Sequence, residues 1–211
     1  MSNLKIKVCG MRETENIRQL ADCRPDFMGM VFYPKSLRYA GDVPGERMLT
    51  SFPESIIKTG VFVDAERSFI FSKIHLFGLQ AVQLHGHESP EICNLLMSKG
   101  LIVIKAFRIN EFTDFSGMTD YLACTNYFLF DTASDVPGGS GKGFNWELLD
   151  KYQLAHPFFL SGGIGPEDAG RLKSLNHKAL AGVDINSRFE TEPGVKDIKK
   201  VKDFMDIIKI K

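Results

Sequence analysis

Eight short apolar runs, separated by stretches of helical periodicity, constrain this chain more than any other feature. They are Leu4–Cys9, Phe27–Phe32, Ile56–Val63, Ala81–Leu84, Leu101–Phe107, Tyr127–Phe130, Phe158–Leu160 and Ala179–Ile185. Each is nearly continuous in β-branched, aliphatic and aromatic residues, the composition of strands buried on both faces. Helix signals lie between them. Ser89-Pro90-Glu91 reads as an N-cap, a first-turn proline and an acidic first turn, with Ile92, Leu95 and Leu96 along one face and Gly100 as the stop. Ile70, Ile74 and Phe77 repeat at helical spacing, as do Ile198, Val201, Met205 and Ile208 behind Asp197 as N-cap. Glu111–Leu122 is the weakest helix, interrupted by Gly117. Eight β-then-α units predict an α/β fold, a closed parallel (β/α)8 barrel with outer helices; an open doubly wound sheet is the alternative. With 211 residues, one domain over 1–211 has a sizeable core and two would be a tight fit. No linker, low-complexity segment or clear half-to-half repeat interrupts it.

Charge narrows the partners. Lys plus Arg equals Asp plus Glu, 26 each, and no basic stripe stands out, so neither nucleic acid nor an anionic membrane is implied. Met1-Ser2-Asn3-Leu4-Lys5 lacks the apolar run of a signal peptide, and no segment is long and apolar enough to span a bilayer. Cys9, Cys23, Cys93 and Cys124 have no C-x-x-C spacing and fit a reducing cytoplasm.

In a parallel barrel the chemistry gathers where strands end. The first run ends in Cys9-Gly10. A buried cysteine is commonly a small hydrophobe, but a thiol at a strand exit beside a glycine is placed to act as a base if its site lowers its pKa. The second run is followed by Arg38, either a solvated loop charge or a clamp for a carboxylate or phosphate. Gln83 and His85 alternate with Leu84 and so face one side. His85 and His87 suggest a metal, but no further ligands sit at matching strand ends, which favours a lining or structural role. Asp131 directly follows Phe128-Leu129-Phe130. It is either a loop cap or an acid whose pKa is raised in a closed, partly apolar site. Gly138-Gly139-Ser140-Gly141-Lys142-Gly143 lacks nucleotide-loop spacing and reads as a lid, with Gly139, Ser140 and Gly141 against the ligand. Gly162 and Gly163 after the seventh run, and Asp184, Asn186 and Ser187 at the eighth, occupy this fold's recurrent phosphate site. Asn186 or Ser187 is placed to cap a short following helix. Together these loops predict a small phosphorylated substrate.

These positions also match a family pattern. Lys7-Val8-Cys9-Gly10-Met11, Val31-Phe32-Tyr33-Pro34-Lys35-Ser36-Leu37-Arg38-Tyr39, Val61-Phe62-Val63 and Ala81-Val82-Gln83-Leu84-His85-Gly86 begin it. Phe130-Asp131-Thr132, Gly138 to Trp146, Leu160-Ser161-Gly162-Gly163-Ile164, Gly182 to Ser187, Glu190 and Pro193-Gly194 complete it. From Lys5 to about Asp197 the chain resembles the phosphoribosylanthranilate isomerases of tryptophan synthesis. The resemblance implies a cofactor-free Amadori rearrangement, with Asp131 as general acid on the ribose ring oxygen and Cys9 as general base at carbon 2. It gives Arg38 the anthranilate carboxylate and gives Gly162-Gly163 and Asp184–Ser187 the phosphate. Members occur as monomers or homodimers. One departure is Asn186-Ser187-Arg188, where a Ser-Ser-Gly run is expected; a bulky Arg188 puts the local phosphate geometry in question.

Three other chemistries are weighed. Indole-glycerol-phosphate synthase needs strand-end Lys and Glu, and although Lys7 shares the parity of Cys9, the contexts of Cys9 and Asp131 argue against it. The imidazole-carboxamide ribotide isomerase has an aspartate where Cys9 stands. A metal-dependent pentose-phosphate epimerase needs several His and Asp ligands. A silent phosphometabolite-binding barrel is of another class, and intact Cys9, Asp131 and Arg38 argue against it.

Overall fold

The apolar runs form parallel strands, and pairing of the last with the first closes them into a ring. The structure is a computed structural model that describes residues 4–41, 52–132 and 146–209. Its strands β1 (Lys5–Val8), β2 (Phe27–Val31), β3 (Ile57–Phe62), β4 (Ala81–Leu84), β5 (Ile102–Ile109), β6 (Tyr127–Thr132), β7 (Phe158–Leu160) and β8 (Leu180–Ile185) follow one another around a closed barrel. Each lies within two residues of its expected run. β8 pairs with β1 in parallel, Lys7 opposite Asp184 and Val8 opposite Ile185, so the open doubly wound sheet is excluded.

Alternation along each strand makes two cores. Ile6, Val8, Met28, Met30, Val82, Leu84, Phe128 and Phe130 face outward and are buried under the helices. Phe27, Ala81, Ile104, Ala106, Leu129 and Phe159 fill the barrel itself. Burying one such Phe or Leu contributes about 1.5–3 kcal/mol, so the ring and its helical coat stabilise each other. Phe27, Tyr127 and Phe159 meet edge to face with centroids 5.1–6.3 Å apart. All three sit at or next to strand starts, so they plug the N-terminal end and leave the other end for chemistry.

The described helices are α1 (Thr14–Ala21), α2 (Arg67–Phe77), α3 (Pro90–Ser98), α4 (Ala169–Ser174) and α5 (Ile198–Lys209). In α5, Asp197 Oδ1 accepts from Lys200 N at 3.1 Å, the expected cap. In α3, Ser89 occupies the N-cap position without a side-chain cap hydrogen bond, and Pro90 instead presets the first turn. Its buried face is Cys93 and Leu96 rather than the broader Ile92–Leu96 stripe. Glu111–Leu122 is not an α-helix. It holds a 3-10 stretch, Phe115–Tyr121, opened by Asp114, whose side chain accepts from Ser116 N. Beyond β8, a short hairpin (Glu190–Glu192 with Val195–Lys196) turns at Pro193-Gly194, where Gly194 has φ +91°. Among the described residues no helix is long and apolar enough to cross a membrane.

Candidate active site

Above the aromatic plug, the C-terminal end of the barrel opens into a cavity of about 580 Å³. Cys9, Arg38, Gln83, His85, Asp131, Gly162, Gly163, Asp184, Asn186 and Ser187 all line it. Gly139, Ser140 and Gly141 lie outside the described residues. His87 does not join His85: it is 97% exposed and bonds Asp64 instead.

Cys9 follows β1 on the same inward parity as Lys7. Its amide donates to Ile185 O at 2.9 Å, which fixes the thiol at the β1–β8 seam. Gly29 on β2 makes room for it: a Cβ there would lie 2.9 Å from Cys9 Sγ and 3.3 Å from Lys7 Nζ. Burial pushes the Cys9 thiol above its ordinary range, and the nearby Lys7 and Lys196 ammoniums pull against that without cancelling it. Lys7 is fully buried, and its Nζ donates to Asp184 Oδ2 at 2.9 Å. Burial opposes its charge, but Asp184 and Cys9 prevail and hold it protonated. Asp184 lines the cavity, with its Oδ2 accepting from Lys7 and burial pushing its carboxyl up against the pull of that ammonium.

Arg38 is anchored by an unexpected partner. Its Nε donates to both Glu190 oxygens at 2.9 and 3.0 Å, and Nη2 donates to Oε2 at 2.6 Å. Glu190, only 5% exposed, also accepts from Lys196 Nζ at 2.6 Å and from Gly194 N at 3.1 Å. Burial alone would raise the Glu190 carboxyl, but Arg38 and Lys196 hold it below the usual range. These bonds occupy the Nε–Nη2 edge of Arg38 and leave Nη1 for an anionic ligand. Lys196 Nζ also donates to Asn186 Oδ1 at 2.7 Å. Asn186 therefore does not cap a helix; a single 3-10 turn, Ser187–Phe189, follows it.

On the opposite wall, Gln83 Nε2 donates to His85 Nδ1 at 2.8 Å, and His85 Nε2 lies 3.1 Å from Asp131 Oδ2. With Nδ1 accepting, the ring proton sits on Nε2 and is donated to Asp131. Asp131 is 31% exposed, so the expected enclosure is partial among the described residues. The loop that carries His85 is braced from behind. Buried Lys105 donates to Gly86 O at 2.7 Å and to Glu88 Oε2 at 3.1 Å, while Glu88 accepts from the amides of Asp64 and Gly86.

Gly162 and Gly163 both have left-handed φ, +87° and +67°, which keeps side chains off the cavity floor beside Ser187. Arg188 reaches away to Glu167 on the loop after β7 and is not part of the cavity lining. Arg108, Ser161 and Lys196 are among the lining or supporting residues to which the sequence assigned no role. Arg108 on β5 shares the inward parity of Ala106 and stands in register with Asp131. Ser161 precedes the glycine pair, and Lys196 arrives through the hairpin. The alternation of β5 carried a usable signal for Arg108; nothing local signalled Lys196.

The sequence model for N-(5′-phosphoribosyl)anthranilate isomerase matches residues 6–207. An enzyme of that name from Parabacteroides distasonis is 45% identical over 204 residues, covering 96% of this chain and 92% of its own. The one from Phocaeicola vulgatus is 44% identical and covers 98% of each chain. The phosphoribosyl anthranilate isomerase structure from Thermotoga maritima superposes with a TM-score of 0.83 at 32% identity, over 98% of each chain. Another, solved in complex with reduced 1-(o-carboxyphenylamino)-1-deoxyribulose 5-phosphate, gives 0.79 at 29% identity, also over 98% of each chain. This chain belongs to the N-(5′-phosphoribosyl)anthranilate isomerase family, the isomerases of tryptophan biosynthesis.

Proposed function

We propose that residues 1–211 act as one catalytic barrel, in the cytoplasm, on N-(5-phosphoribosyl)anthranilate, with Cys9 as general base and Asp131 as general acid. The product is 1-(2-carboxyphenylamino)-1-deoxyribulose 5-phosphate. The observation that carries this is the placement of a thiol at the end of β1 and a carboxyl on β6 around one cavity. Asp131 gives its proton to the ribose ring oxygen as the C1–O bond breaks, leaving a Schiff base. Cys9 takes the proton from carbon 2, and the electrons of that C–H bond move toward the nitrogen to form the enolamine. Tautomerisation to the ketone completes the rearrangement. Electrons are neither gained nor lost, so the reaction itself calls for no redox cofactor. His85 supports the acid: its Nε2–H bond to Asp131 strengthens as the carboxylate forms, which is transition-state stabilisation.

Binding groups flank the reacting sugar. The glycine pair with Asn186 and Ser187 takes the phosphate, and the open edge of Arg38 takes the anthranilate carboxylate. Holding both ends places the sugar between acid and base. The test is loss of anthranilate-type fluorescence on mixing purified protein with freshly made phosphoribosylanthranilate, with and without a chelator. Turnover is expected in both. Cys9→Ser and Asp131→Asn are each expected to cost ~10²–10⁴-fold in kcat. Wild-type turnover in both variants refutes the assignment.

A further inference from the structure

Lys7 has no step in the mechanism above, yet it is the most deeply buried charge in the barrel. A buried ion pair is a poor source of stability: exchanging one for apolar residues of similar volume is often neutral or stabilising. The layer beneath it is apolar, built on Phe27, Leu129 and Phe159. Nothing in that packing calls for an ammonium and a carboxylate. What lies above Lys7 is Cys9, which the proposed function makes a base.

We propose that Lys7 is a positioning residue, the counter-ion of Cys9, whose ammonium, aimed by Asp184, stabilises the thiolate that the carbon-2 proton transfer requires. The geometry supports this from three sides. Lys7 Nζ and Cys9 Sγ both crowd the same point over Gly29, so that glycine clears the space they share. Lys7 and Cys9 stand two positions apart on the inward parity of β1, and both are buried inside the barrel. Asp184 fixes the ammonium through Oδ2 while its Oδ1 is buried without a hydrogen-bond partner.

The other charges around Cys9 are accounted for. Asp184 on β8 disfavours the thiolate, and Lys196 on the hairpin favours it less than Lys7 does. Lys196 and Arg38, in the loop after β2, are both held by Glu190. Lys7, whose Nζ shares the space over Gly29 with the thiol, is the cation that favours the thiolate most. In the base step Cys9 goes from thiolate to thiol as carbon 2 loses its proton, and Lys7 stays protonated throughout.

The role in turnover rests on Cys9 being the base, so the experiment separates the two. The Cys9 thiolate is titrated by its ultraviolet absorbance, with Cys9→Ser in the same background subtracted, alongside kcat and KM across pH. In Lys7→Met/Asp184→Leu, which removes the pair together, the thiolate midpoint is expected to rise by about one pH unit or more. That is about tenfold less thiolate at a given pH. The limb of the kcat profile should follow it, with KM little changed. Asp184→Asn keeps an oxygen that accepts from Lys7, and so its aim, while removing the opposing anion, and it serves if the double variant does not fold; its midpoint is expected to fall. An unchanged midpoint in the folded double variant, or a midpoint in Asp184→Asn that is unchanged or raised, overturns the proposal. If the thiolate midpoint moves and turnover does not follow, the counter-ion stands and the assignment of Cys9 as base falls.

Discussion

Glu190→Gln tests the clamp by removing the anion between two cations at nearly constant size. Glu190 carries three contacts of 2.6–3.0 Å to Arg38 and one of 2.6 Å to Lys196. Removing one partner of a fully buried ion pair costs about 3–5 kcal/mol. Lys196 is fully buried, but Arg38 is 24% exposed and solvent screens part of its loss. The amide oxygen also keeps one acceptor. An expected cost of about 2–3 kcal/mol follows. At about 2–4 °C per kcal/mol for a chain of this size, unfolding should come about 4–12 °C earlier by circular dichroism. Arg38, no longer squared to the cavity, should bind the substrate carboxylate about tenfold more weakly, or about 1.4 kcal/mol, read as a raised KM with kcat less affected. The acid side gives a second reading. The Glu190 carboxyl is held below its ordinary 4.5, so wild type keeps this stability above that pH and loses it as pH falls through the lowered value. The variant should lack that component. An unfolding temperature within about 1 °C of wild type together with an unchanged KM would refute the clamp.

Two further outcomes are expected. His85→Leu deletes the donor to Asp131 while filling similar space; kcat should fall about 10–100-fold, about 1.4–2.7 kcal/mol, with a smaller change in KM. A purely KM effect would make His85 a binding group instead. His156 is held below its ordinary 6.5 by burial, packs tilted against Phe128 with ring centroids 4.3 Å apart and meets Thr125 Oγ1 at 3.0 Å. The fold favours its neutral ring, so its stabilising share is complete above pH 6.5 and lost as pH falls below it. Thermal unfolding should therefore fall between roughly pH 7 and pH 5 in wild type and less so in His156→Gln. Parallel curves for the two proteins would rule this out.

The strands were legible because a strand buried on both faces carries one composition whatever its neighbours are. The strand ends were legible for a related reason: Cys9, His85 and Asp131 are reactive residues at or directly beside the ends of apolar runs, and Arg38 follows in the loop after one. The helix expected over Glu111–Leu122 was not. Phe115 and Met118 are buried three apart, a spacing that a 3-10 turn satisfies as well as an α-helix does. Partners were the least legible part. Its place at the end of the eighth run put Asp184 at the site but could not say that its neighbour there would be Lys7, 177 positions away. Lys196 returns to Asn186 and Glu190 only because the hairpin turns at Pro193-Gly194, and strands of two and three residues leave no periodicity to read.

The β1–β8 seam has a consequence for the chain as it emerges from the ribosome. Lys7 and Cys9 are made long before their partners Asp184 and Ile185, Asp184 lying 177 positions after Lys7. Until the eighth strand docks, Lys7 has no carboxylate to meet and its ammonium resists leaving water. Desolvating that charge is therefore deferred to the final closure of the ring. A nascent or truncated chain that collapses without β8 has neither a seated thiol nor a neutralised lysine. The appearance of turnover during refolding accordingly times the docking of β8 on β1, later than the first signal from helix content.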